Sequence, residues 1–197
     1  MSKSDPSASK KERNKTIRWV VTIFFVTIII SAIISLVSDM IMAASTIAVA
    51  FLILLAIVVL GIIFDIIGVA VTSADEKPFH SMAARKVPGG QESIRLLRNA
   101  ERVSSICNDV VGDICGVVSG SASATIAAQV LQNFTFSWPQ VITLFMSALV
   151  AGLTVGGKAV GKTFAIRSCT DIVAAVGKVI YFMSHFSDLF KKKKSNS

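Results

Sequence analysis

Lysine and arginine are absent from two long stretches of this chain, Trp19 to Glu76 and Val103 to Gly157, and that gap decides the class of fold. All 20 fall in three blocks: Lys3 to Arg18, Lys77 to Arg102 and Lys158 to Lys194. The chain has 197 residues, is 53% hydrophobic and only 16% charged, and has a mean hydropathy of +0.69. Soluble domains carry about 25% charged residues, so too little polar surface is available here to coat a water-soluble core. Basic blocks alternating with cation-free apolar runs are the pattern of membrane spans joined by cytoplasmic segments. The expected fold is an all-α polytopic membrane protein with about four transmembrane helices, a juxtamembrane helical hairpin and a C-terminal amphipathic interfacial helix. It is expected in the cell (cytoplasmic) membrane, multi-pass, with the N-terminus and C-terminus both cytoplasmic.

The placement of the charges also names their partner. A net charge of +8 spread along juxtamembrane blocks meets anionic lipid headgroups of the bilayer. A nucleic-acid interface would need aromatic residues interleaved with the basic ones on one surface, and the sequence has no such stretch. Three cysteines, Cys107, Cys115 and Cys169, form neither a disulfide framework nor a zinc spacing.

Along the chain, residues 1–16 are basic and polar and read as a disordered cytoplasmic tail. Residues 17–38 hold an apolar run long enough to cross a hydrocarbon core of about 30 Å, and too long for the apolar core of a cleaved signal peptide. Further spans are expected at about 43–73, 103–130 and 141–165. Between the first two of these, the polar segment 75–102 is broken by Pro88-Gly89-Gly90 and reads as two short helices. In the second, Ile94 and Leu97 alternate with Arg95, Arg98 and Arg102, as in a helix lying against headgroups. The turn near Asn133-Phe134-Thr135 forms a glycosylation triplet, and Phe136 and Trp138 suit the outer interface. Residues 170–190 place apolar groups at helical spacing but are followed by Lys191 to Lys194 in a polybasic tail, 191–197, which a span would have to translocate. That segment is therefore expected to lie in the interface.

Polar residues inside the spans carry the functional question, because an aspartate at a span centre costs about 2.5–3.5 kcal/mol on insertion scales. Asp65 lies in Ile62-Ile63-Phe64-Asp65-Ile66-Ile67, and Gly61, Asp65, Gly68 and Thr72 share one face of an ideal helix. In the next span Ser105, Asn108, Asp109, Gly112, Asp113 and Gly116 share a second face. The glycines there (Gly112, Gly116, Gly120) and in the last span (Gly157, Gly161, with Gly152 and Gly156) repeat the small-xxx-small spacing of close helix packing. The carboxylates admit two further readings: oxygen ligands for a hard divalent cation, or an acid–base pair of aspartates. The second faintly echoes intramembrane aspartyl hydrolases, yet their Pro-Ala-Leu element is absent.

From about Ala50 to Phe190 the chain resembles the transmembrane domain of the cyclin M / CorB–CorC magnesium transporter family. The resemblance rests on three stretches in order. Phe64 to Ala74, reading FDIIGVAVTSA, is similar to that family's F-S-G-S-E-T-A-L-T-S-A; Ala100 to Ile106 resembles the entry into its second helix; and Gly157-Lys158-Ala159-Val160-Gly161-Lys162-Thr163-Phe164-Ala165 is similar to its G-E-x-x-P-K-x-x-A. The resemblance implies a unit over residues 41–190, a homodimer, and an inward-facing cavity that takes Mg2+ as cargo. The expected cation set joins Asp65 to the polar face of the next span, Ser105, Asn108, Asp109 and Asp113, of which Asn108-Asp109 loosely match the family's Asn pair. The departures are as informative. Lys158 stands where the family has Glu, Gly161 where it has Pro, and Asp65 where it has Ser. The span over 17–38 is an addition, and the cystathionine-β-synthase pair and C-terminal cytoplasmic domain of the family are expected to be missing. Lys158 is a fixed counter-charge beside the expected site. Two accounts follow: divalent-cation transport by an altered carboxylate set, or a non-transporting scaffold or regulatory partner in which Lys158 pairs with an aspartate. Neither requires an enzyme, a catalytic residue or a bound organic cofactor.

Overall fold

The computed structural model describes residues 6–133 and 138–194, with the side chains of residues 6–16, 43 and 186–194 outside the described set. Every regular element among the described residues is a helix. In chain order these are α1 (Pro6–Ala43), α2 (Ile47–Ser73), α3 (Lys77–Ala84), α4 (Gly90–Arg98), α5 (Ala100–Ser105), a π-helical segment (Ile106–Gly112), α6 (Asp113–Asn133), α7 (Pro139–Arg167) and α8 (Cys169–Lys194). The expected all-α polytopic membrane fold is what the chain adopts. Among the described residues four helices are long and apolar enough to span: Ile17–Met42 within α1, α2, the continuous rod Ala100–Asn133 made of α5, the π segment and α6, and α7. At about 1.5 Å per residue, the 27 residues of α2 reach about 40 Å, beyond one hydrocarbon thickness.

Element ends differ from the expectation in informative places. Asp39-Met40 does not end the first span; α1 continues to Ala43, and the break falls at Ala44–Thr46. The Met42 carbonyl at the helix end accepts hydrogen bonds from Ser45 N–H at 3.1 Å and from Gln129 Nε2 of α6 at 2.8 Å, which fixes the corner. At its other end α1 is helical from Pro6, well into the basic stretch expected to be disordered. Lysine, arginine and glutamate are good helix formers, so the rod extends without an apolar face to bury. The third spanning rod begins at Ala100, where Asn99 (φ −115°, ψ 27°) separates it from α4. The turn around Phe136 lies outside the described residues, as do residues 195–197 of the polybasic tail.

Two apolar cores hold the bundle. One joins the spans: Met42, Ala50, Leu54, Val58, Ala122, Ile126 and Val150 pack α1, α2, α6 and α7 together. The other, built on Ala70, Val71, Phe79, Leu97, Ala165 and Val173, clamps α3, α4 and α8 onto the ends of α2 and α7. Phe79 is its fully buried centre. In this second core the Ser93 hydroxyl donates to Val173 O at 3.1 Å. Gly89 takes the left-handed conformation (φ 89°) at the entry to α4 and passes against Gly177 and Lys178 of α8, where a side chain has no room. The exposed flanks of α1, including Phe24, Phe25, Ile29 and Ile33, are apolar, as a lipid-facing helix requires.

Candidate functional site

Asp65 sits on α2 between the two cores, one turn past Gly61 and one turn before Gly68. All three are buried, Asp65 at 5% exposure. The spacing does this: residues three and four apart stack on the same side of a regular helix, and that side of α2 meets α6 and the π segment. A Cβ at Gly61 would stand 2.9 Å from Cys115 Cβ, and a Cβ at Gly68 would fall on the amide oxygen of Asn108. The two glycines bring the third rod close enough to α2 to roof the carboxylate.

The fourth wall is α7. Gly157 and Gly161 lie against Ile62 and Ile66 of α2, with a Gly161 Cβ position only 2.8 Å from Ile66 Cγ1. Lys158, beside Gly157, is thereby carried inward, and its Nζ lies 3.8 Å from Asp65 Oδ1. The two side chains are 23% and 7% exposed, so the pair is largely withdrawn from solvent. At that distance the contact is between charges, longer than a direct hydrogen bond of about 2.7–3.2 Å. Lys158 Nζ also lies 3.2 Å from where a Cβ on Gly112 would be, so Gly112 makes room for the ammonium group.

Asn108 completes the pocket. Its Nδ2 donates to Ser104 Oγ at 3.2 Å, while Asn108 Oδ1 and Asp65 Oδ2 are buried without a hydrogen-bond partner. The polar centre thus comprises one carboxylate, one ammonium and one amide oxygen.

No family model, curated protein or solved structure matches this chain. The site must therefore be read from its own chemistry.

Of the five oxygen donors expected together, the structure gathers Asp65 and Asn108. Ser105 and Asp109 line a different cleft, facing Trp19, Val20, Ile23, Phe24, Thr27 and Ile28 of α1. Asp113 is exposed on the outer side of α6. Among the described residues no three His, Cys, Asp or Glu side chains converge closely enough to hold a metal ion. A divalent cation takes six or more oxygen ligands with carboxylates to balance its charge, whereas Asp65 already has Lys158 beside it.

Asn108 and Asp109 are adjacent and so point about 100° apart on a helix, which lets them face different neighbours, and the π segment shifts the register beyond them. Its wider turn inserts an extra residue relative to an α-helix, so the faces before and after it are out of step with an ideal helical wheel. Gly116 and Gly120, expected to pack, have nothing within 4 Å of a Cβ position, and the same holds for Gly152 and Gly156 on α7. Residues not anticipated at the site are Ser104, which anchors Asn108, and Cys115, which packs on Gly61. Their proximity to Asp65 has no signature in sequence spacing, because both lie on a separate rod.

Proposed function

We propose that this chain is a non-transporting membrane scaffold or regulatory partner, built on the plan of the CorB–CorC transmembrane domain. In it an internal ion pair stands where the transporters hold their cation. The observation that carries this reading is the 3.8 Å contact between Lys158 Nζ and Asp65 Oδ1. A lysine fixed beside the one buried aspartate among the described residues supplies the charge balance that a metal would otherwise supply, and it repels a second cation. The α3–α4 hairpin and α8 then face the cytoplasm, where their basic residues meet anionic headgroups, and both chain ends lie on that side. The chain works as a homodimer. Two of its spans leave glycine pairs, Gly116/Gly120 and Gly152/Gly156, facing open space, and such pairs let a second copy's backbone approach closely.

One observation favours divalent-cation handling instead: two buried oxygens, Asp65 Oδ2 and Asn108 Oδ1, lack partners at the same place. A thermal-shift titration of the purified protein with magnesium separates the readings. The scaffold reading expects no shift for the wild type at millimolar magnesium. Stabilisation of the wild type, lost in Asp65→Asn, would return the site to cation transport.

A further inference from the structure

The cleft between α1 and the third rod is independent of the Asp65–Lys158 pair and has a different chemistry. It is an open groove of about 430 Å³, within the size range of small-molecule sites, lined by Trp19, Val20, Ile23, Phe24, Thr27 and Ile28 on one side and Ser105, Asp109 and Val110 on the other. Its lining is apolar apart from two hydroxyls and one carboxylate. Asp109 points into it from the π segment, a backbone irregularity that recurs at functional sites. Among the described residues Asp109 has no ion-pair or hydrogen-bond partner, although it lies within the length of a spanning helix. Asp109 is exposed on the cleft side, and in a bilayer a carboxylate within a spanning helix is costly unless a cation meets it. The aromatic wall is suited to the same charge, since the face of an indole attracts cations.

We propose that this cleft binds a lipophilic cation, a molecule whose apolar body lies along α1 while its positive centre sits between Asp109 and Trp19. A divalent metal does not fit there: Ser105 and Asp109 are its only oxygen-bearing side chains besides Thr27, and the remaining lining is hydrocarbon and aromatic. An anionic or neutral amphiphile would leave the carboxylate unmatched.

The test uses tetraphenylphosphonium as the probe, with equilibrium binding to the full-length purified protein in a neutral detergent. Saturable binding is expected for the wild type. Asp109→Asn should weaken it by about tenfold or more, and Trp19→Leu by about fivefold. Asp109→Glu should retain it, which guards against a folding defect in the amide variant. Asp113→Asn, which alters a carboxylate outside the cleft, should bind as the wild type does. Millimolar magnesium should not compete. The inference is overturned if the wild type shows no saturable binding, if Asp109→Asn binds unchanged, if Asp113→Asn loses as much as Asp109→Asn, or if magnesium displaces the probe.

Discussion

The side chain of Asn108 occupies the space that Gly68 leaves empty on α2, so the third rod is seated by a side chain fitting into the place of a missing one. Asn108 is held in that position by its hydrogen bond to Ser104 Oγ, one turn earlier. The two residues should therefore be energetically coupled. Gly68→Ala gains helix propensity worth about 1 kcal/mol, but it drives a methyl group into the amide. In a double-mutant cycle with Asn108→Ala, the double variant should be more stable than the sum of the singles, with coupling of about 0.5–3 kcal/mol. Melting temperatures of the four purified proteins check this, and additivity would mean that the contact is not a constraint.

Lys158 and Asp65 should behave as a unit. Removing the ammonium in Lys158→Ala leaves a carboxylate uncompensated inside the bundle, and breaking such a pair costs about 3–5 kcal/mol. The neutral double variant Asp65→Asn/Lys158→Met should recover most of that loss, since a buried ion pair is often replaceable by uncharged side chains of similar volume. A stable Lys158→Ala single variant would remove the basis of the scaffold reading.

The glycines that face open space give a prediction about assembly. Gly120→Leu on α6 and Gly156→Leu on α7 add bulk where the single chain has nothing within 4 Å, so the folded monomer should tolerate both. If these faces meet a second copy, each substitution should weaken self-association by about tenfold, equivalent to about 1.4 kcal/mol. Fluorescence energy transfer between labelled copies in proteoliposomes reads this directly. Unchanged transfer in both variants would place the dimer contact elsewhere.

The spans were legible because their cause is one-dimensional: length without cations, flanked by cations, leaves a chain little choice in a bilayer. The buried face of α2 was legible too. From Ile47 to Ser73 the helix is regular, so Gly61, Asp65 and Gly68 share a face as an ideal wheel places them. The wheel fails on the third rod, where Ile106–Gly112 is π-helical. There Asn108 turns toward α2 and Asp109 toward α1, because an arc wide enough to hold adjacent residues about 100° apart meets more than one neighbour, and Asp113 is exposed. Nothing in Ile106-Cys107-Asn108-Asp109-Val110-Val111-Gly112 announces the wider turn. It packs against α2, and that contact is a property of the assembled bundle. The Lys158–Asp65 contact was foreseeable as one option, yet choosing among three aspartates required the crossing of α7 over α2 that Gly157 and Gly161 allow.

The second core offers the last prediction, because its closest approach involves backbone on both sides. Gly177 of α8 lies against Gly89 O and Ser93 of α4, and a Cβ there would stand 2.7 Å from that carbonyl oxygen and crowd the Ser93 hydroxyl. The hydroxyl cannot simply swing away, since it donates to Val173 O at 3.1 Å in a fully buried position. Gly177→Ala should thus push α8 off the α4 surface, with an overpacking cost of about 1–3 kcal/mol. Ser93→Ala removes the hydrogen bond without adding bulk and should cost less, about 1 kcal/mol. The distant parts of the spans lie in a separate core around Leu54, Val58 and Ile126, so the damage should stay at the end of the bundle where Ala70, Val71 and Ala165 join the second core. Hydrogen exchange is the discriminating measurement. In Gly177→Ala, amides of α4 and α8 should exchange faster while those around Leu54 and Val58 of α2 and Ile126 of α6 keep their protection. Uniform loss of protection along all four spans would mean that the two cores unfold as one.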